Sequence, residues 1–197
     1  MSLTDASNLM EFIPKYLSEN DRALLSDNLK KFQNASYYTS FPLDLYLQGD
    51  GWSPLPIFSL KTKEVAYVKA ICFSNSCDLA QKSDFPSKLV FAPIILVDRY
   101  LDLLKKFGAT EDKIKSFYRD LKAQMLSNLF YLPANGSLSK ECLVNLSDVY
   151  SIDATEFFDE NNTAKKLEFR LSQVAHYLFL LKLSVHFCRF WENVKRD

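Results

Sequence analysis

The sequence predicts an α+β domain: a small, mostly antiparallel β-core with inserted helices and a long helix at its C-terminal end. Three observations predict it. Short runs rich in Val, Ile, Tyr and Phe recur between residues 55 and 150, each bounded by turn residues. Two helical patterns interrupt these runs near 98–107 and 110–126, and an apolar helical pattern fills 161–194. The resulting order lacks the regular strand–helix alternation of a doubly wound parallel sheet.

Composition supports a packed domain. The chain has 197 residues, 48% of them hydrophobic, with equal numbers of acidic and basic side chains. Disorder requires the opposite, low hydrophobicity with high net charge. Sixteen Phe and ten Tyr indicate thick aromatic packing. Four glycines are too few for a phosphate-cradling loop, and zero net charge provides no overall field toward nucleic acid. Extensive phosphate contact needs a dense basic surface. Cys72, Cys77, Cys142 and Cys188 form no Cys-x-x-Cys pair, so neither a metal nor another cofactor is expected. The opening Met-Ser-Leu-Thr-Asp has no basic or apolar leader segment, so reduced thiols and a cytoplasmic location are expected.

Residues 1–54 read as a helical segment followed by a connecting loop. Leu24, Leu25, Leu29 and Phe32 recur at helical spacing behind a Ser18 or Asn20 cap, and Pro14 begins or interrupts a helix. The loop ends on the turn signal Gln48-Gly49-Asp50-Gly51. The β-core spans 55–160. Its strands are expected at 55–60, 64–74 and 88–97, the last carrying Pro93 and therefore placed at an edge or bulge. Helices follow with Gly108 as a C-cap and Thr110 as a start. Strands resume at 128–132 and 143–150, with a turn at Pro133-Ala134-Asn135-Gly136 between them.

Residues 161–197 read as one long helix. A membrane span is disfavoured because Lys182 and Arg189 fall inside its apolar stretch, and each charge near a bilayer centre costs roughly 2.5–3.5 kcal/mol. Leu171, Val174, Leu178, Leu181 and Val185 form one stripe, and Tyr177, Leu180, Ser184, Phe187 and Trp191 form a neighbouring one; one stripe is expected to cover the sheet and the other to meet a protein partner or a second copy. Lys182, His186 and Arg189 share a helix face by spacing. They read either as an anion- or nucleic-acid-binding stripe or as a solvated face.

The cluster Ser74-Asn75-Ser76-Cys77-Asp78 ends the strongest strand, a common position for a functional site. Cys77 has the chemistry of a nucleophile and Asp78 that of a base, while Ser74, Asn75 and Ser76 are candidate binding groups. The same residue types also build Asx and Ser turns. Nucleophilic chemistry needs a base, and the chain's two histidines, His176 and His186, both lie on the last helix.

The run Ile71-Cys72-Phe73-Ser74-Asn75-Ser76-Cys77-Asp78-Leu79 resembles a motif of uncharacterised bacterial proteins with an apolar strand followed by Ser-x-x-Cys-Asp-Leu. Leu89-Val90-Phe91-Ala92-Pro93-Ile94, Phe130-Tyr131-Leu132-Pro133, Val144-Asn145-Leu146, Arg170-Leu171-Ser172 and Phe187-Cys188-Arg189-Phe190 fit that set in order. The same layout is more distantly similar to the MazF/PemK toxin family, small SH3-like barrels that cut RNA without a metal. The similarity rests on Phe73-Ser74, Ala92-Pro93-Ile94, Gly136 with Leu138, Cys142-Leu143-Val144 and Val149-Tyr150-Ser151-Ile152-Asp153. It implies an SH3-like barrel. Lys69-Ala70 stands where that family has Arg-Pro, and Ile95 stands where it has Thr. The expected function is therefore a non-catalytic or degenerate binding and regulatory module of a bacterial toxin–antitoxin or phage-defence system. The alternative is a metal-independent nuclease or hydrolase using Cys77 and Asp78.

Overall fold

The computed structural model of the chain describes residues 37–40, 45–77, 87–135, 138–159 and 164–187. The expected helices in 4–33 lie outside them. Among the described residues, seven strands and four helices follow in order: β1 (Gly51–Ser59), β2 (Glu64–Cys72), β3 (Lys88–Leu96), α1 (Val97–Lys106), α2 (Glu111–Lys122), β4 (Leu129–Leu132), β5 (Cys142–Asn145), β6 (Tyr150–Asp153), α3 (Ala154–Phe158), β7 (Lys166–Phe169) and α4 (Gln173–Phe187).

The strands form one antiparallel sheet in the order β4-β5-β3-β2-β1-β7, with β6 also on β3. The mixed architecture matches expectation. The expected closed barrel does not form: β4 and β7 end the path, and no pairing joins them among the described residues. The ladder between β2 and β3 is also short. β2 pairs with β3 only at Ala70, Ile71 and Cys72, opposite Pro93, Ala92 and Phe91. Proline donates nothing to a ladder, and past it β3 continues with β5 alone. On the other side of β3, β6 pairs with Lys88 to Phe91 and β5 with Ile94 to Leu96. Residues 146–149 bulge between them, so Pro93 sits beside the irregularity its chemistry demands.

Both sheet faces carry buried side chains away from the outer half of the β1–β2 hairpin, and the alternation of side chains sorts the core into three clusters. On one face, Ile71, Ala92, Phe130, Leu132, Val144 and Phe169 pack beneath Ala175, Leu178 and Phe179 of α4. On the other, Trp52, Leu55, Ala70, Cys72, Leu89 and Phe91 pack against Phe157 of α3. Tyr46 stacks on Trp52 with ring centres 5.1 Å apart and meets Phe158 edge-on at 4.7 Å. Further along that face, Val97, Leu121, Leu129, Tyr131 and Leu143 form the seat of α1 and α2. Gly51 is required by its neighbour: a Cβ there would lie 2.3 Å from Cε1 of the Phe169 ring.

Several element bounds differ from expectation for local reasons. β1 begins at Gly51 rather than 55, because Gly51, Trp52 and Ser53 pair with β7. Residues 166–169, read as helix, are strand; α4 begins only at Gln173. Ser172 stops the strand and starts the helix, its Oγ accepting from the Ala175 amide at 3.3 Å. α2 ends at Lys122 instead of 126 because Gln124 takes a left-handed conformation, φ +57°. The Thr110 cap and the positive φ of Gly108 at the end of α1 are as expected. No helix among the described residues is long and apolar enough to cross a membrane.

Candidate functional site

Three segments converge where β2 ends: the loop 45–50, the turn 73–77 and the stretch 170–176 that leads into α4. Backbone bonds tie the first two. The Gly49 amide donates to Cys72 O and the Cys72 amide to Asp50 O, both at 2.9 Å. Gln48 reaches further, its amide donating to Ser76 Oγ at 2.9 Å and its Nε2 to Phe73 O at 2.7 Å. A positive φ of 85° at Gly49 lets the loop bend this tightly.

The third segment is locked from below. Arg170 donates through Nε to Asp50 Oδ1 at 2.9 Å and through Nη2 to Asp50 Oδ2 at 2.6 Å, and also to the Leu45 carbonyl. Both side chains are sealed, with 3% and 1% exposed. Burial pushes the Asp50 carboxyl upward, against the pull of the guanidinium. Asp50 Oδ2 also accepts from the Leu47 amide at 3.0 Å.

The side-chain oxygens of Ser74, Asn75 and Ser76 all accept hydrogen bonds within this joint. Ser74 Oγ donates to Lys88 O at 3.1 Å and accepts from the Val90 amide at 2.7 Å, so the hydroxyl continues the β2–β3 ladder where the backbone leaves it. Asn75 Oδ1 accepts from the Cys77 amide at 2.9 Å, an Asx turn that opens the helical turn at Ser76 and Cys77. Ser76 holds Gln48. Cys77 is exposed, with a free thiol. Asp78 lies outside the described residues. In contrast, Cys72 is buried, and burial pushes its thiol up to about 12.

His176 comes to the same end of the sheet. The first turn of α4 passes over the 45–50 loop, and a Cβ on Gly49 would meet the His176 ring at 3.3 Å. Phe73 and Phe179 touch edge-on at 5.5 Å, so the helix also crosses the end of β2. Its Nε2 is buried with no hydrogen-bond partner, and burial lowers the imidazole's proton affinity.

The expected stripe on α4 is not formed. Lys182 is fully buried, and its ammonium donates to Gln124 Oε1 at 2.9 Å, Leu126 O at 2.8 Å and Leu129 O at 2.5 Å. Burial lowers its proton affinity to about 7, while three accepting oxygens match its three hydrogens. His186 lies apart from it, Nε2 3.1 Å from Ser147 Oγ. Arg189 and Trp191 lie outside the described residues. Of the apolar stripes, Leu171, Leu178 and Leu181 of the first are buried, while Ser184 and Phe187 of the second are exposed.

A second ionic group stands on β1, β2 and β7. Lys69 Nζ lies 2.6 Å from Glu168 Oε2, and Ser53 Oγ donates to Glu168 Oε1 at 2.5 Å. Burial raises the Glu168 carboxyl, but the bonds from Lys69 and Ser53 outweigh it and hold the group below the usual carboxylate range. Glu168 thus offsets the charge of Lys69, the residue expected from the resemblance at an Arg position. Ile95, at the Thr position, is half-buried against the cluster beneath α1 and α2.

Sequence reasoning missed Asp50, Arg170, Gln48 and the Lys69–Glu168 pair. The turn signal at 48–51 marked the loop, and nothing local marks its partners, which lie 25 and 120 positions away for Gln48–Phe73 and Asp50–Arg170. No protein-family model matches the chain, and no curated protein matches it.

Proposed function

We propose that this chain is a non-catalytic binding and regulatory module, a degenerate relative of MazF/PemK-like barrels, of the kind that serves bacterial toxin–antitoxin or phage-defence systems. One observation carries the reading. The side chains that would have to meet a phosphate are already bonded within the fold: Ser74 to β3, Ser76 to Gln48, Lys69 to Glu168. A hydroxyl clamped between a backbone donor and acceptor has no free geometry for a substrate, and an ion-paired amine has its charge offset. The SH3-like ancestry belongs to the same proposal, and a curled sheet supports it. Tyr38 bridges to Leu171 just past β7, and its hydroxyl donates to Pro133 O just past β4 at 2.9 Å. The two edge strands thus approach through one side chain instead of a ladder.

Incubating the purified chain with single-stranded RNA in chelator tests the proposal. Intact RNA after hours is expected, and rapid metal-independent cleavage overturns it. The exposure of Cys77 favours one second reading, a hydrolase or nuclease using Cys77 and Asp78, with His176 at the same sheet end. In that case Cys77→Ser abolishes cleavage.

A further inference from the structure

We propose that the outer edge of β2 pairs antiparallel with the same edge of a second copy of this chain, around a two-fold axis at Tyr67. Beyond Ala70 no strand pairs with residues 64–69 on the β3 side among the described residues. The direction of the free backbone groups follows from Cys72, which exchanges its bonds with Gly49 and Asp50 on the β1 side. Successive residues of a strand alternate in this direction. Val65, Tyr67 and Lys69 therefore turn their N–H and C=O away from β1, toward the open edge.

The hairpin treats its two edges differently. The outer edge of β1 is paired with β7 only as far as Ser53, and past that point it carries Pro54 and Pro56. Prolines on an edge block strand addition. The edge of β2 has no proline, and Val65, Tyr67 and Val68 in it are strong strand formers. Tyr67 is 70% exposed and Val65 55%, and Phe58, opposite Val65, is 51% exposed. A proline-free edge beside an exposed apolar face is a surface for another strand.

Of the registers centred on Ala66, Tyr67 and Val68, one fits a second copy. Antiparallel pairing keeps facing residues on the same side of the sheet, so each two-fold register centres on a residue. Centring on Ala66 sets Lys63 opposite Lys69, a like-charge pair that is destabilising. Centring on Val68 runs Val65 into Ile71, whose edge β3 already occupies. Centring on Tyr67 sets Val65 opposite Lys69 and Ala66 opposite Val68, with no like charges facing, and the ladder ends there because Glu64 would meet Ala70, which Pro93 of β3 already faces. It brings the two Tyr67 residues together as a hydrogen-bonded pair, Cα atoms about 5.5 Å apart.

Sedimentation of the full chain over a concentration series tests this, together with Tyr67→Lys and two cysteine variants in a Cys77→Ser background. The chain is expected to dimerise, and Tyr67→Lys to weaken the dimer at least about tenfold, the loss of roughly 1.4 kcal/mol, with an unchanged circular dichroism spectrum. Mild oxidation of Tyr67→Cys should give a covalent dimer, because about 5.5 Å lies within disulfide reach. Leu60→Cys, on the exposed hairpin turn, should not. A chain that stays monomeric, a dimer indifferent to Tyr67→Lys, or equal crosslinking from Leu60→Cys overturns the proposal. The RNA assay decides catalysis separately.

Discussion

Asp50 and Arg170, 120 positions apart, meet through two parallel hydrogen bonds in a site that is almost closed to solvent. The pair binds the loop before β1 to the strand-to-helix corner before α4. Those segments hold the turn after β2 and the first residues of α4 in place, so the joint at the end of the sheet rests on it.

Removing one partner from a buried pair strands the other charge. Asp50→Asn should lower stability by about 3–5 kcal/mol, since Arg170 keeps its charge in a dry site. Urea unfolding of Asp50→Asn, Arg170→Met and the double variant reads the coupling. The double variant should be less destabilised than the sum of the singles.

Lys182 makes stability depend on alkaline pH. Its folded proton affinity is lowered to about 7 from an ordinary 10.5, so above pH 7 the unfolded chain binds more protons at this site than the native chain does. Stability attributable to this group therefore rises from about pH 7 toward 10.5 and is reduced below that window. Urea unfolding at pH 7 and pH 9.5 should show the natural chain gaining on Lys182→Met as pH rises. Equal slopes in the two proteins would contradict the assignment.

Thiol reactivity separates the cysteines. In a Cys188→Ser background, Cys77 should react promptly with a disulfide reagent in the native protein, because it is exposed. Cys72 and Cys142 are buried, with burial raising both thiols, and should react only on unfolding. A single fast thiol, lost in Cys77→Ser, is the expected trace.

The strands at the centre were legible because Val, Ile, Leu and Phe run almost without a break there, as two-sided burial requires, and Thr110 and Gly108 mark their helices by local chemistry. β7 was not legible. Lys166-Leu167-Glu168-Phe169 is short and abuts an apolar helical run, so its pattern merges with that helix, and only its pairing with Gly51 to Ser53 makes it a strand. Lys182 looked solvated because a lysine on a helix usually is. Its acceptors, Gln124, Leu126 and Leu129, come from a connection more than fifty positions away. The polar run at 74–77 was legible as a turn from its residue types. Which atoms each side chain would hold depends on β3 and the 45–50 loop, and no local pattern carries that.

A structural joint past β2 requires the Ser74 hydroxyl to be worth something to the fold. Ser74→Ala leaves the Val90 amide and the Lys88 carbonyl without this partner, a loss of about 1–3 kcal/mol. Urea unfolding of Ser74→Ala beside the natural chain measures it directly. A drop of that size is the expected result. Unchanged stability would mean that the hydroxyl is free for other work, and would contradict the structural role given to this turn.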